Sequence, residues 1–478
     1  MSIFSKIKRF YQVSPIVPPL KVDDEQMQQY YKKLRLSTFF ASTIGYALYH
    51  ICRTSLNVMK GPIMESGILN ATQLGVIGSI MLFTYAIGRF VNGLLADHSN
   101  IKRFMVTGMI GVSAANFLVG IFGLVTVETA LISNTAFFIL FAFLWGINGW
   151  SQSMGASPAT VGLSRWFPLK SRGTFYGLFS GSRNLGEFMA FIIIGIVISI
   201  YSWEWGFIIG ALISSVGIFI ILKYMHDSPE SMGLPNVKIL SGEIDKNTNE
   251  QIKVGEAARI RQRYALHNKD VWLIAITSSF MHVARYAITG WGVLFLQEHK
   301  GFSLSTATKI ISVNALMGVL GTMFSGWLSD KYFKGDRKIL VLLFSTLNLF
   351  AICLFIYSGD SLWINTLSMF LFGCSVGVLV SFLGGLMAVE AVPRSASGVA
   401  LGIVGIVSYL GAGLQDLISG LLIEQNKVLT SNDIYYDFSY VSYFWIGASA
   451  LTLLLSFFIK GTRFKKGDIE KLLEISPD

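Results

Sequence analysis

Apolar runs of 20 or more residues recur along this chain, and nothing else in it constrains the fold as strongly. Each run is long enough to cross a hydrocarbon core about 30 Å thick at 1.5 Å per residue. The pattern predicts about twelve spans, at 36–59, 73–96, 104–123, 136–160, 173–200, 205–225, 271–297, 305–328, 338–357, 362–391, 397–423 and 439–459. In lipid every backbone polar group must be satisfied within the protein, so the runs are read as helices and the fold class as all-α membrane protein. Only 14% of the 478 residues are charged, against about 25% in soluble domains. The 47 glycines suit close helix packing in lipid.

The net charge of +10 reports topology. About 29 of the 38 Lys and Arg fall in alternate loops and the two termini, and only Lys60, Lys300 and Lys427 fall in the opposite loops. This positive-inside bias predicts that both termini are cytoplasmic, and it leaves no basic surface to assign to nucleic acid. Cys52, Cys353 and Cys374 lie in apolar spans without metal-ligand spacing. The first 35 residues are polar and basic and lack an apolar core, so the first span is expected to act as an uncleaved anchor. No Walker A loop, no Ser/His/Asp arrangement and no metal-spaced histidine cluster is present. The chain is therefore expected to be neither an enzyme nor a binder of cofactor or metal.

Several motifs occur twice. His50-Ile51-Cys52-Arg53 and His282-Val283-Ala284-Arg285 each sit inside an apolar run. Gly93 to Asp97, followed by Lys102 and Arg103, closes the second span, and Gly326 to Asp330, followed by Lys331, closes the eighth. Pro168 to Gly173 and Pro393 to Gly398 form a third pair, after spans four and ten. The near-constant spacing indicates duplication, and in transporters such repeats place the site between the halves near midplane. An arginine in hydrocarbon costs about 2.5 kcal/mol or more. Two at equivalent points imply one interior site for an anion, because a guanidinium fork suits phosphate or carboxylate oxygens. The polar stretch 226–270 reads as a linker, with a short amphipathic helix near Glu256–Tyr264. It separates a segment 1–35 and a six-helix bundle 36–225 from a second bundle 271–460 and a tail 461–478.

Taken together, GYALYHICRTSLN (Gly45 to Asn57), QLGVIGS (Gln73 to Ser79), NGWSQSMG (Asn148 to Gly155), RGTFYG (Arg172 to Gly177), DSPESMGL (Asp227 to Leu234) and HVARYAITGW (His282 to Trp291) resemble the major facilitator superfamily. Within it the chain is similar to the organophosphate:phosphate antiporters, the hexose-phosphate and glycerol-3-phosphate transporters. The resemblance implies twelve transmembrane helices in two pseudo-symmetric six-helix bundles in the plasma (inner) membrane. It implies exchange of an external organophosphate for internal inorganic phosphate by a carrier that works as a monomer. In that family a pair of arginines clamps the phosphoryl group, here Arg53 and Arg285. The alternative is that each arginine pairs with a carboxylate and ties the halves together.

The remaining candidates surround that pair. His50 and His282 lie one turn before the arginines and can face the same cavity, either donating to substrate or packing between helices. Tyr46, Tyr49 and Tyr286 are candidates for its wall. Arg89 stands where the related transporters usually have a pore lysine. Arg183 stands where they commonly have histidine, and either contacts substrate or pairs with Glu187 at i+4. Asp416 is an intramembrane carboxylate, expected to be a proton site or an arginine's partner. Asp97 and Asp330 are expected to latch the cytoplasmic side as a gate. Leu401 and Val404 replace an Asp and a Lys that bear on substrate choice in hexose-phosphate transporters, although long local matches favour that branch. A sugar-phosphate sensor and a proton-coupled symporter using Asp416 or Glu187 remain as rival readings.

Overall fold

The computed structural model describes residues 3–241, 265–333, 336–393, 396–429 and 434–460. The helix expected at Glu256–Tyr264 and the tail 461–478 lie outside the described residues. Among the described residues twelve long helices carry the fold. In the first half these are α1 (Asp24–Glu65), α2 (Ala71–Asp97), α3 (Ile101–Thr129), α4 (Asn134–Trp166), α5 (Leu169–Ile200) and α6 (Trp203–Tyr224). In the second they are α7 (Lys269–Glu298), α8 (Leu304–Tyr332), α9 (Arg337–Tyr357), α10 (Leu362–Ser381), α11 (Ser397–Gln425) and α12 (Ser439–Phe458).

Short polar loops start these helices cleanly. Asp23 caps α1 by accepting from the Gln26 amide, and Asn70 forms a reciprocal capping box with Gln73 at α2. Asn100, Ser303 and Asp336 likewise accept from first-turn amides of α3, α8 and α9. Among the described residues ten helices are long and apolar enough to cross a membrane by length and composition. Outside that group, α1 and α4 carry polar residues inside the protein, among them His50, Arg53, Lys60, Asn148 and Gln152. The tenth span is broken: a π-helical turn at Phe382–Leu386, non-helical at Gly385, separates α10 from a short helix, Met387–Glu390.

The duplication is visible in the packing. Within the first half α1 packs on α5 and α6, α2 on α4, and α3 on α4 and α6. The second half repeats this with α7 on α11 and α12, α8 on α10, and α9 on α10 and α12. Across the halves α2 packs on α11 and α5 on α8, a pairing that one two-fold operation maps onto itself. The site must therefore lie among α1, α2, α5, α7, α8 and α11.

The first span extends past its expected end at 59. Helix α1 runs on to Glu65, so Lys60 is not a loop residue but a fully buried one, with 0% exposure. The N-terminal segment is also tied down. A helix at Ile3–Tyr11 docks on the loop between α2 and α3, where Tyr11 O accepts from the Asn100 amide at 2.8 Å.

Candidate functional site

Two faces of the molecule differ. The terminal face bears the start of α1 and the end of α12. At the opposite face the halves touch backbone to backbone. A Cβ on Gly75 of α2 would stand 2.6 Å from Asp416 O, and one on Gly420 of α11 would stand 2.4 Å from Ala71 O. Only glycine lets α2 and α11 approach this closely. Ser79 Oγ donates to Gly413 O at 2.7 Å across the same seam. Toward the terminal face the same helices part. Arg89 of α2 is exposed although its guanidinium lies 5.8 Å from the Tyr409 ring of α11. The space between the halves is closed at the opposite face and open toward the terminal one.

Arg53 and Arg285 are both buried, 5% and 3% exposed. Both flank Tyr286. Arg53 Nη2 donates to the Tyr286 hydroxyl at 2.9 Å, and the Arg285 guanidinium lies 5.7 Å from the Tyr286 ring. Around Arg53 stand the rings of Tyr85 (4.4 Å), Tyr409 (5.7 Å) and Tyr286 (5.8 Å). These contacts hold a cation by quadrupole attraction without neutralising it. Tyr85 and Tyr409, from opposite halves, also pack edge to face at 4.7 Å.

The carboxylates are not where local spacing puts them. Glu187 does not pair with Arg183. It accepts from Arg285 Nη2 at 3.0 and 3.1 Å, while Asn184 Oδ1 takes the same nitrogen at 3.3 Å. The i+4 relation puts Arg183 and Glu187 along one side of α5, but α7 brings a closer guanidinium to the carboxylate. Arg183 Nε is buried with no hydrogen-bond partner among the described residues. Arg183 and Arg285 line one cavity, with Asn184, Asn314 and Gly318, and Arg53 lines another; Glu187 is the wall they share. The two arginines thus sit either side of Glu187 rather than in one open chamber.

Asp416 pairs with no arginine among the described residues. Lys60 Nζ donates to its Oδ1 at 2.7 Å, and Trp291 Nε1 donates to the same oxygen at 2.5 Å. The ammonium also lies 3.5 Å from the Trp291 ring. This pair joins α1 to α11, as Glu187 and Arg285 join α5 to α7. Lys60 escapes a reading by hydropathy because the apolar run stops one residue before it. The signal that could have found it is spacing: Lys60 stands seven residues after Arg53, two turns along the helix.

The histidines behave alike in both halves. His50 Nδ1 lies 3.1 Å from Tyr46 O and His282 Nδ1 lies 2.8 Å from Ser278 O. A carbonyl only accepts, so each Nδ1 carries a proton and donates it along its own helix. Tyr49 is no part of the cavity wall. Its hydroxyl donates to Met105 O, and its ring packs beside Gly108 and Gly155 within the first bundle.

At the terminal face Asp97 is exposed, and it is its carbonyl that accepts from Arg165 Nη2 at 3.0 Å. The carboxylate that binds the cluster is Asp227. It accepts from Arg165 Nη1 (2.6 Å), the Ile101 amide (3.0 Å) and the Ser14 amide (2.7 Å). Asp227 belongs to DSPESMGL, a motif that carried resemblance but had no assigned role. The Asp330 side chain lies outside the description. Near it Arg337 Nη2 reaches Glu390 at 3.3 Å.

Two bundles related by a helix-for-helix operation, sealed at one face around buried arginines, define a membrane transporter rather than an enzyme. The Major Facilitator Superfamily model matches residues 42–415, and the chain belongs to this superfamily and, within it, to the organophosphate:phosphate antiporter family. It is 31% identical over 407 residues to a probable hexose phosphate transport protein of Chlamydia muridarum, covering 82% of this chain and 85% of that one. It is 28% identical over 410 residues to the membrane sensor protein UhpC of Salmonella typhimurium, covering 84% and 88%. Among solved structures it is similar to the nucleoside transporter NupG, with TM-score 0.62 and 17% identity, over 89% of this chain and 98% of that one. That likeness concerns the fold alone.

Proposed function

We propose that this protein exchanges an external organophosphate, a sugar phosphate with hexose 6-phosphate favoured over glycerol 3-phosphate, for internal inorganic phosphate by alternating access. The observation that carries this reading is the convergence of Arg53 from one half and Arg285 from the other on Tyr286. A phosphate dianion needs charge-assisted donors from several directions, and a dry site strengthens them. The centre holds Arg53, Arg89, Arg183, Arg285 and Lys60 against Glu187 and Asp416, an excess of three positive charges. An unloaded carrier must bring those charges together to close, whereas a bound anion offsets them. This ties the change of state to ligand binding, since the ligand's preference for the closed state supplies the free energy.

With both termini cytoplasmic, the open face is the cytoplasmic one and this state accepts internal phosphate. The chlamydial relative named as a hexose phosphate transport protein supports the sugar-phosphate branch. Engagement of Asp416 by Lys60 and Trp291 counts against its serving as a free proton carrier. The test is uptake of labelled phosphate into proteoliposomes loaded with phosphate or left empty. Uptake only into loaded vesicles is expected. Equal uptake into empty vesicles overturns obligatory exchange. Ligand binding without uptake in either preparation turns the reading toward a sensor, like the relative so named.

A further inference from the structure

The helix Ile3–Tyr11 lies outside both bundles and takes no part in the central site. Its last turn is fixed on the start of α3. The Tyr11 hydroxyl donates to Thr107 Oγ1 at 3.0 Å, and the Tyr11 ring meets Phe104 edge to face at 5.7 Å. Arg103 Nη1 donates to Phe10 O at 2.8 Å, which satisfies one of the carbonyls that a helix leaves open at its C-terminus. A helix of nine residues does not hold its shape alone in water, so its surroundings must hold the remaining turns.

The docking site on α3 gives the level of this helix. Arg103, Thr107 and Ile110 share one face of α3, at i, i+4 and i+7. Ile110 is 51% exposed and stands about 4.5 Å further along the axis than Thr107. An exposed isoleucine inside a membrane-spanning helix faces lipid. The helix Ile3–Tyr11 therefore lies against the outer wall of the first bundle, at the edge of the bilayer, and not beneath the space between the halves.

This docking leaves apolar surface uncovered. Ile7 and Phe10, three apart and so on one side of the helix, are 51% and 49% exposed. Lys6 and Arg9 stand one residue before each of them, and both are exposed. No carboxylate pairs with either among the described residues. The chain supplies none nearby: residues 1–22 hold Lys6, Lys8, Arg9 and Lys21 and no Asp or Glu. An acidic peptide or a nucleic acid would suit the charges but leave Ile7 and Phe10 in water. A helix that is apolar on one side, basic beside it and set at the bilayer edge fits a leaflet with anionic headgroups.

We propose that the helix Ile3–Tyr11 is a membrane-surface anchor. Ile7 and Phe10 enter the interface of the leaflet on the terminal face, and Lys6 and Arg9 bind the phosphate groups of anionic phospholipids there. The apolar pair supplies attachment to any bilayer, and the basic pair supplies the preference for negative charge, which salt screens. The anchor is attached to the first bundle alone and does not depend on what the protein transports.

The test uses the full chain in nanodiscs of phosphatidylcholine alone or mixed equally with phosphatidylglycerol. Amide exchange over residues 3–11 is read by mass spectrometry. Exchange should be about 10-fold slower in the mixed discs, as two basic groups at an anionic surface imply. High salt should remove the difference, and so should Lys6→Gln combined with Arg9→Gln, a change that keeps the helix preference of both positions. A photoreactive benzophenone amino acid introduced at Phe10 should crosslink to lipid. Equal exchange in the two kinds of disc overturns the anionic-lipid site. Crosslinking to another segment of the chain or to a second copy overturns the anchor, because protein then covers this face. The comparison of discs needs only the natural protein, so it decides even if a variant does not fold.

Discussion

Arg285 of α7 gives one nitrogen, Nη2, to both carboxylate oxygens of Glu187 on α5, at 3.0 and 3.1 Å, and the bond joins the two halves. Its counterpart Arg53 has a neutral tyrosine hydroxyl in the same role. The repeat is therefore symmetric in backbone and asymmetric in charge. Arg53 meets an incoming anion uncompensated, whereas Arg285 already holds one.

If Arg285 holds phosphate as proposed, Glu187 competes with it for that guanidinium. A charge-assisted hydrogen bond contributes about 1.5–3 kcal/mol, so Glu187→Gln should tighten phosphate binding by about 10-fold. Equilibrium binding of labelled phosphate to purified protein measures this. Unchanged or weaker binding means that the carboxylate is not in the anion's way.

The fork geometry of the arginines is testable by a charge-preserving change. Lysine keeps the positive charge but loses the planar pair of donors. Arg53→Lys and Arg285→Lys should each cut exchange by about 100-fold or more while membrane insertion stays intact. Near-normal exchange in either variant removes the clamp. The 2.9 Å bond to Tyr286 makes a smaller test, because Tyr286→Phe deletes one partner of Arg53 and leaves its charge.

Lys60 and Asp416 stabilise only as a pair. Removing one partner leaves a buried charge alone, which costs about 3–5 kcal/mol. Asp416→Asn and Lys60→Met should each lower the thermal unfolding midpoint in detergent. The double change Lys60→Met with Asp416→Leu should recover most of the loss. A Cβ on Gly78 would stand 1.6 Å from Asp416 Oδ2, so Gly78→Ala should displace the carboxylate and resemble Asp416→Asn. A double variant no better than the singles refutes the pairing.

Asp227 gathers three separate segments, the chain before α1, the start of α3 and the end of α4. Asp227→Asn keeps the size and loses the charge. Limited proteolysis should then cut faster at residues 12–22, and amide exchange at Ser14 and Ile101 should accelerate. Protection equal to that of the natural protein would show that the segment is held by something else.

Much of this is legible in the sequence. Apolar runs locate the helices, because lipid permits no other use of 20 such residues in succession. The paired His-x-x-Arg motifs locate the centre, because buried arginines are too costly to repeat by accident. What stays hidden is partner choice. Spacing within a helix reports which residues share a face, so it suggests Arg183 for Glu187. It does not report which helix of the other half lies opposite that face. Tyr49 is misplaced for the same reason: it neighbours the motif in sequence, but its hydroxyl reaches α3. The span limits matter too. Ending the first span at 59 turns Lys60 into a loop residue and hides the partner of Asp416.

The Lys60–Asp416 pair spans 356 positions of chain. At about 5–20 residues per second, the ribosome makes the aspartate roughly 18–70 s after the lysine. During that interval α1 is in the membrane with an ammonium group awaiting its counter-charge. Until the eleventh helix arrives, Lys60 lacks the carboxylate that it pairs with in the folded protein. A chain stopped before α11 should present Lys60 to whatever machinery inspects unfinished membrane proteins. A contact that looks like a detail of the finished transporter is also a record of whether its synthesis was completed.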